Sequence, residues 1–135
     1  MSSSALPRTL AIGSDHGGLT LKNAVVAHLQ SSGYSVEDLG TYNTDSVDYP
    51  DYADLVSERV LDGRADAGIL VCTTGIGMCI SANRHAGIQA SLVSDAATAA
   101  VTREHNASNV LCLAGKTLPE STAREIVDTW LKTPF

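Results

Sequence analysis

Short runs of aliphatic and β-branched residues alternate along the chain with longer segments in which apolar residues recur every three or four positions. The run at 67–72 is apolar throughout, as a parallel strand buried on both faces is. Together the short runs predict five strands, at residues 9–12, 34–39, 67–72, 88–93 and 110–113.

The longer segments predict a helix after each strand. The first has an apolar stripe and ends at Gly33, and the last follows a predicted capping box at 117–120 (Thr-Leu-Pro-Glu). Between them, helices are predicted at 51–61, at 78–85 and from the N-cap residue Asp95 to about residue 105. The two stripes consist of Leu21, Ala24, Val25, His28 and Leu29, and of Ala123, Ile126, Val127, Trp130 and Leu131.

Five βα units in series predict an α/β fold of three layers, with a five-stranded parallel sheet between two layers of helices. No internal repeat, low-complexity segment or linker divides the chain. Residues 1–135 are therefore predicted to form a single domain, of which about 1–7 form a flexible N-terminus.

Composition and charge narrow the range of partners. Hydrophobic residues make up 44% of the chain and aromatic residues only 4%, so the core is expected to consist mainly of Val, Ile, Leu and Ala. The net charge of -6 argues against nucleic acid or an anionic membrane surface, because both bind basic faces. A phosphorylated small molecule remains possible as a ligand, since a few local hydrogen-bond donors are enough to bind one phosphate in an acidic protein.

Location is indicated by what the chain lacks. Residues 1–7 contain no apolar signal-peptide core, and no apolar run approaches the roughly 20 residues that span a bilayer. The three cysteines, Cys72, Cys79 and Cys112, are odd in number and lack metal-ligand spacing. Free thiols in the cytoplasm are the simplest interpretation, with no metal site.

Ligands of parallel α/β sheets bind beyond the carboxyl ends of the strands, so the polar residues that follow each strand are candidates. The turn after the third strand is the most informative, because its glycines and the next helix N-terminus form an oxyanion site. It lacks the third small residue of a dinucleotide fingerprint and the Gly-Lys-Ser/Thr of a P-loop. The candidate turns are 14–18, 72–77, 94–95 and 115–117.

Cys72 lies where the third strand meets this turn. A thiol beside a helix N-terminus gains thiolate character and acts as a base or nucleophile, although a lone cysteine is often a small core residue, and both interpretations stay open. Core packing is expected for Cys79 and Cys112. His16, beside Asp15, suits ligand binding.

The other histidines show no chemistry by pattern. His28 lies on the first apolar stripe and is expected to be structural or half-exposed, and His85 lies near a helix end and is expected to be neutral to function. His105 lies near the end of the fourth helix, where the helix dipole favours a cation.

Five segments in order then resemble the ribose-5-phosphate isomerase B family, which includes galactose- and allose-6-phosphate isomerase relatives. The resemblance covers nearly the whole chain. It implies a Rossmann-like fold and a cofactor-free enzyme that interconverts ribose 5-phosphate and ribulose 5-phosphate. It also implies a homodimer with shared active sites, a tetramer being left open. The segments are Gly13-Ser14-Asp15-His16-Gly17-Gly18, Asp48-Tyr49-Pro50, Cys72-Thr73-Thr74-Gly75-Ile76-Gly77, Ala82-Asn83-Arg84 and Arg103-Glu104-His105-Asn106.

The resemblance also implies roles for single residues. Cys72 matches the base that moves a proton between C1 and C2, Thr74 matches a supporting hydroxyl, and His105 matches the group that opens the sugar ring across the dimer interface. The backbone from Gly75 to about Cys79 matches the cradle of the enediolate. The remaining matches bind substrate: Asp15 and Tyr49 at sugar hydroxyls, His16 at the phosphate, Asn106 at substrate oxygens, Lys116 at the phosphate, with Ile76, Gly77 and Met78 in the cradle.

At three places the sequence can be compared with variants or usual features of the family, and these concern the base, the width of the pocket and the phosphate. Met78 stands where some relatives have a Glu base, which places the chain in the Cys-type branch. Thr73 stands where glycine is common, and its side chain is expected to narrow the pocket. The family usually continues into an Arg-rich segment, whereas the sequence given ends at Phe135. Two alternatives therefore stay open: an isomerase of another sugar phosphate, such as a hexose 6-phosphate or a tetrose phosphate, and a non-catalytic sugar-phosphate binding protein.

Overall fold

The computed structural model describes residues 6–135 and contains one parallel sheet of five strands in the order β2-β1-β3-β5-β4. The α/β fold class predicted above is confirmed. The strands are β1 (Thr9–Ser14), β2 (Ser35–Asp38), β3 (Ala67–Cys72), β4 (Ala90–Leu92) and β5 (Val110–Ala114). The helices are α1 (Leu19–Ser31), α2 (Tyr49–Leu61), α3 (Ile76–Asn83), α4 (Ala96–Asn106) and α5 (Glu120–Lys132), and a short 3-10 turn (His16–Gly18) precedes α1.

Two apolar clusters flank the sheet. One lies between the sheet and α1 and α5, where the whole predicted stripe of α5 is buried. The other lies under α2 and α3 and contains Met78 and Cys112 together with Cys72. Every residue of β3 is buried, because this central strand is covered by helices on both faces.

The order of the strands creates a crevice. The chain passes from β1 to β2 on one side and then returns to β3 on the other side of β1. The turns after β1 and β3 therefore diverge at a topological switch point, where ligands of open α/β sheets bind.

Three helix starts differ from the predictions. α3 begins at Ile76, two residues before the predicted start at 78, because the turn at Gly75 leads directly into the helix. α2 begins at Tyr49, two residues early, because Pro50 suits a first helical turn and does not end the preceding loop. The predicted capping box at 117–120 is wrong: the N-cap residue is Pro119, and Glu120 pairs with Arg124 at 2.9 Å. The Leu118 amide donates to the Ala114 carbonyl, which keeps this segment in the turn after β5.

Lys22 is a buried cation on α1. Its Nζ donates to both carboxylate oxygens of Asp38, at 2.9 Å each, and to the Thr41 carbonyl at 2.8 Å, which uses all three of its protons. Backbone bonds join Thr41 and Gly40 to Ser14. Lys22 thereby holds the segment after β2 against the carboxyl end of β1.

Within residues 6–135 no helix is long and apolar enough to cross a bilayer. The flexibility predicted for residues 1–7 falls mainly outside the described residues. Of the two that are described, Leu6 is exposed and Pro7 is buried.

Candidate active site

The turn after β3 carries the thiol that sequence reasoning placed at its centre. Cys72 is the last residue of β3 and is 4% exposed. Gly75 has a φ of 78°, a left-handed conformation that glycine adopts without strain. Its N–H donates to the Cys72 sulfur at 3.1 Å. The Cys72 sulfur thus has a backbone donor against it at the start of the turn.

The next amides form the start of α3. The Ile76 N–H donates to Thr74 Oγ1 at 3.2 Å, and the Cys79 N–H donates to the Gly75 carbonyl at 3.1 Å within the helix. Between them, the amides of Gly77 and Met78 belong to the first helical turn, where no intrahelical acceptor exists. These two amides are the best placed to bind an anion.

The turn after β1 lies across the crevice. Asp15 is 7% exposed, and its Oδ1 accepts the Gly18 N–H at 3.0 Å. His16 Nδ1 accepts the Val47 N–H at 3.3 Å, so in the neutral ring the proton is on Nε2. His16 therefore presents an N–H donor, which suits an anionic oxygen.

Glycines allow these turns to approach one another. A Cβ at Gly17 would lie 2.0 Å from Thr73 Oγ1, and one at Gly77 would lie 2.7 Å from the Tyr49 ring. The structure thus brings together the turn after β1, the turn after β3 and the first residue of α2.

The turn after β5 completes this edge of the sheet. The Gly115 N–H donates to the Cys72 carbonyl at 2.7 Å, and the Lys116 N–H donates to the Thr73 carbonyl at 3.1 Å. Lys116 is exposed at the rim. Its ammonium is a cation of the kind that binds phosphate as a point charge.

His105 and Asn106 lie elsewhere. They line a cleft of about 550 Å³ together with Asn83 and the segment 88–91, which leads into β4 at its amino end. In the sheet register Cys72 pairs with Ala114, four residues beyond Val110. Four strand residues span about 13 Å, so His105 and Cys72 of one chain lie at opposite ends of the sheet.

The thiol of Cys79 points away from the turn, toward the Ala90 carbonyl at 3.5 Å. The Cys112 thiol donates to it and lowers the pKa of Cys79 to about 7. That same hydrogen bond, with burial second, raises the pKa of Cys112. Packing between helix and strand, as predicted for both residues, accounts for their positions.

Sequence reasoning missed three contacts around the site: the Val47 amide on His16, the close packing of Thr73 on Gly17, and the cation of Lys22. Each joins residues that are distant in the chain. The glycines at 17 and 18 were the only local signal, since consecutive glycines often mark a close approach of backbone.

These features define a class: an α/β protein with a thiol at an oxyanion turn in the switch-point crevice, the arrangement of an enzyme for a small anionic substrate. The family model described as Ribose/Galactose Isomerase matches residues 10–135. The chain belongs to this ribose/galactose isomerase family, which confirms the resemblance.

Similar proteins agree along nearly the whole chain. The ribose-5-phosphate isomerase B of Escherichia coli K12 is 43% identical over 128 residues, which are 95% of this chain and 86% of the relative. The solved structure of ribose-5-phosphate isomerase B from Clostridium thermocellum has a TM-score of 0.93 at 44% identity, covering 94% of this chain and 86% of that one. That of Mycoplasma genitalium, with bound ribulose-5-phosphate, has a TM-score of 0.89 at 43% identity, covering 94% and 85%.

Proposed function

We propose that this protein interconverts ribose 5-phosphate and ribulose 5-phosphate through an enediolate, with Cys72 as the base that moves the proton and His105 as the group that opens the ring. The relatives support the enzyme class, an aldose–ketose isomerase, and the interconversion of ribose 5-phosphate and ribulose 5-phosphate. The observation that carries the residue roles is the Cys72 sulfur 3.1 Å from the Gly75 N–H, beside the first turn of α3.

The reaction needs one base that works in both directions. The Cys72 thiolate removes the proton from C2 of the open-chain aldose, and the electron pair of that C–H bond forms the C1–C2 double bond while O1 takes the negative charge. The same thiol returns the proton to C1, and the O2 proton moves to O1 as C2 becomes the carbonyl. Atoms and electrons balance without a co-reactant.

The enediolate is the species that the turn stabilises. The amides of Gly77 and Met78 belong to the first turn of α3, the helix that follows Cys72, so negative charge that develops at this helix start would meet preformed donors. Thr74 follows the base by two residues and is exposed, so its hydroxyl is available to the carbonyl oxygen. Charge that appears only in the transition state is thereby favoured over the ground state.

Ring opening needs His105, which one chain cannot bring to its own Cys72. A second copy can. The sheet ends at β4, and the surface there contains four large exposed apolar side chains. An uncovered strand edge with exposed apolar neighbours is a surface that a partner covers. These side chains are Ile76 and Ile80 of α3, Leu92 of β4 and Val101 of α4.

A two-fold axis through this β4 surface, perpendicular to the strands, gives a homodimer with shared sites. It reverses the strand direction of the second copy, so the amino end of one sheet lies beside the carboxyl end of the other. His105 of each subunit then lies near Cys72 of its partner. The same operation brings Asn106 to the substrate oxygens.

The remaining contacts hold the sugar phosphate. Asp15 accepts and Tyr49 donates at sugar hydroxyls, because both side chains border the crevice. His16 presents an N–H and Lys116 a positive charge to the phosphate. The three cysteines are free thiols, which fits a cytoplasmic enzyme.

Deuterium exchange tests the reaction and the base together. The protein is incubated with ribose 5-phosphate in deuterated water, and label at C1 of ribulose 5-phosphate is followed by NMR. We expect turnover with label, and its loss in Cys72→Ala. The matched control is Cys112→Ala, which removes a thiol from β5 and leaves the site intact.

Two outcomes oppose the proposal. Full activity in Cys72→Ala assigns the base elsewhere. Failure of the unmodified protein on ribose 5-phosphate, followed by turnover of a hexose 6-phosphate or tetrose phosphate, retains the chemistry and replaces the sugar, whereas binding without any turnover indicates a binding protein.

A further inference from the structure

Thr73 belongs to the turn after β3 and lies in the switch-point crevice against the turn after β1. It follows the base directly and is half-buried. Its carbonyl accepts the Lys116 N–H at 3.1 Å, and the Asp15 N–H donates to the Val71 carbonyl at 3.3 Å. The backbone around Thr73 is therefore fixed from both neighbouring turns.

The side chain of Thr73 is fixed as well. Its Oγ1 lies against Gly17, only 2.0 Å from where a Cβ at that position would be, and its own Cβ is 3.3 Å from the same point. A β-branched side chain has few rotamers, and contact with backbone on one side reduces them further. The hydroxyl is thus held in one place before any ligand arrives, which lowers the entropy cost of binding.

This hydroxyl makes no hydrogen bond to any of residues 6–135. Thr74 Oγ1, for comparison, accepts the Ile76 N–H at 3.2 Å. A threonine hydroxyl is both a donor and an acceptor. A half-buried hydroxyl with neither function used at a ligand crevice is available to the ligand.

The neighbours indicate which part of the ligand it meets. Thr73 packs on Gly17, the residue after His16, and it is bonded through its backbone to Lys116. His16 and Lys116 are the two groups assigned to the phosphate. Thr73 contacts the turns that carry both groups, so the turns after β1, β3 and β5 each supply one donor.

We infer that the Thr73 hydroxyl is a third phosphate-binding group of this enzyme and donates to a phosphoryl oxygen of the substrate. The inference rests on the proposed function for the identity of the substrate, but phosphate binding itself is measurable without turnover. A hydrogen bond to a charged oxygen contributes more than one between neutral groups, so its loss is visible in affinity.

The test uses inorganic phosphate as the probe, measured by isothermal calorimetry on the full chain and as a competitive inhibitor. Thr73→Val keeps the shape and removes the hydroxyl, and Thr73→Ser keeps the hydroxyl. We expect Thr73→Val to weaken phosphate binding about tenfold, and Thr73→Ser to stay within about threefold of the unmodified protein. Thr129→Val, a half-buried threonine at the far end of α5, is the matched control and leaves affinity unchanged.

Equal phosphate affinity in Thr73→Val and the unmodified protein overturns the inference, as does an equal loss in Thr73→Ser. Thermal unfolding of each variant identifies any loss that comes from misfolding, and Thr73→Ala then repeats the comparison without the methyl group. If the protein binds phosphate through Thr73 but turns over no ribose 5-phosphate, the proposed function fails while this inference stands.

Discussion

At the scale of single residues, contacts in the crevice depend on the absence of side chains. Gly17 has an ordinary negative φ, so only space forbids a side chain there. Gly75 differs, because its positive φ of 78° is itself unfavourable for other residues. The two glycines therefore predict different responses to substitution.

Gly17→Ala is expected to destabilise the fold by about 1–3 kcal/mol, because its Cβ would overlap Thr73 Oγ1 and the two turns would have to separate. Urea unfolding measures the loss. Thr73→Gly in the same chain removes the clash and should recover most of that stability. No recovery in the double variant would show that the strain arises elsewhere.

The contact between Cys79 and Cys112 predicts how the reactivity of the Cys79 thiol depends on pH. The Cys112 thiol lowers the pKa of Cys79 to about 7 from an ordinary 9.0, so Cys79 is mainly thiolate at pH 8. In a Cys72→Ala background, its reaction rate with a disulfide reagent should rise with pH to a midpoint near 7. Adding Cys112→Ala removes the donor and should move the midpoint upward toward 9.0. An unchanged midpoint would assign the lowered pKa to another cause.

At the scale of elements, the apolar patterns predicted the strands and helices well where one or both faces of the element are buried. All residues of β3 are buried, and the α5 stripe from Ala123 to Leu131 faces the sheet. The prediction of a capping box was wrong because this sequence pattern expresses only a local preference. Hydrogen bonds in the turn after β5 decided where α5 begins. Lys22 was missed for a related reason: its partners come from β2 and the following segment.

Lys22 gives the element-scale prediction. Lys22→Met keeps the apolar stem but leaves the Asp38 carboxylate and the Thr41 carbonyl without their donor, which should cost about 1–3 kcal/mol of unfolding free energy. Asp38→Asn combined with Lys22→Met removes the unpaired charge and should recover part of the loss. Denaturant unfolding of the two single variants and the double variant measures the coupling. Additive losses would mean that the pair does not interact.

At the scale of the whole molecule, the proposed homodimer is what would complete the site. Cys72 and His105 lie at opposite ends of one sheet, and in the homodimer proposed above a two-fold partner across the β4 surface would bring them together. Exposed Ile76, Ile80 and Val101 are costly in a monomer. Burial of this apolar surface is the driving force expected for the homodimer.

Complementation tests the shared site. Cys72→Ala and His105→Ala are each expected to be nearly inactive on cyclic ribose 5-phosphate. In a mixed dimer, one of the two sites combines the intact Cys72 of one chain with the intact His105 of the other. With equal amounts of the two variants, half of the dimers are mixed and a quarter of all sites are therefore intact. The mixture should regain about a quarter of the activity of the unmodified protein. No restoration, with mixed dimers present by mass spectrometry, would place both groups in one subunit's site.

The sequence by itself determined the layers, the strands and the position of Cys72 at a turn beyond a buried strand. These follow from the period of apolar residues and from glycine, which act over a few residues. The family resemblance supplied His105, whose own surroundings predict only a helix end. Only the tertiary structure decided that Thr73 packs on Gly17, that Lys22 is buried and that His105 lies far from its own Cys72. Such contacts depend on which distant segments the strand order brings side by side, and no local pattern records them.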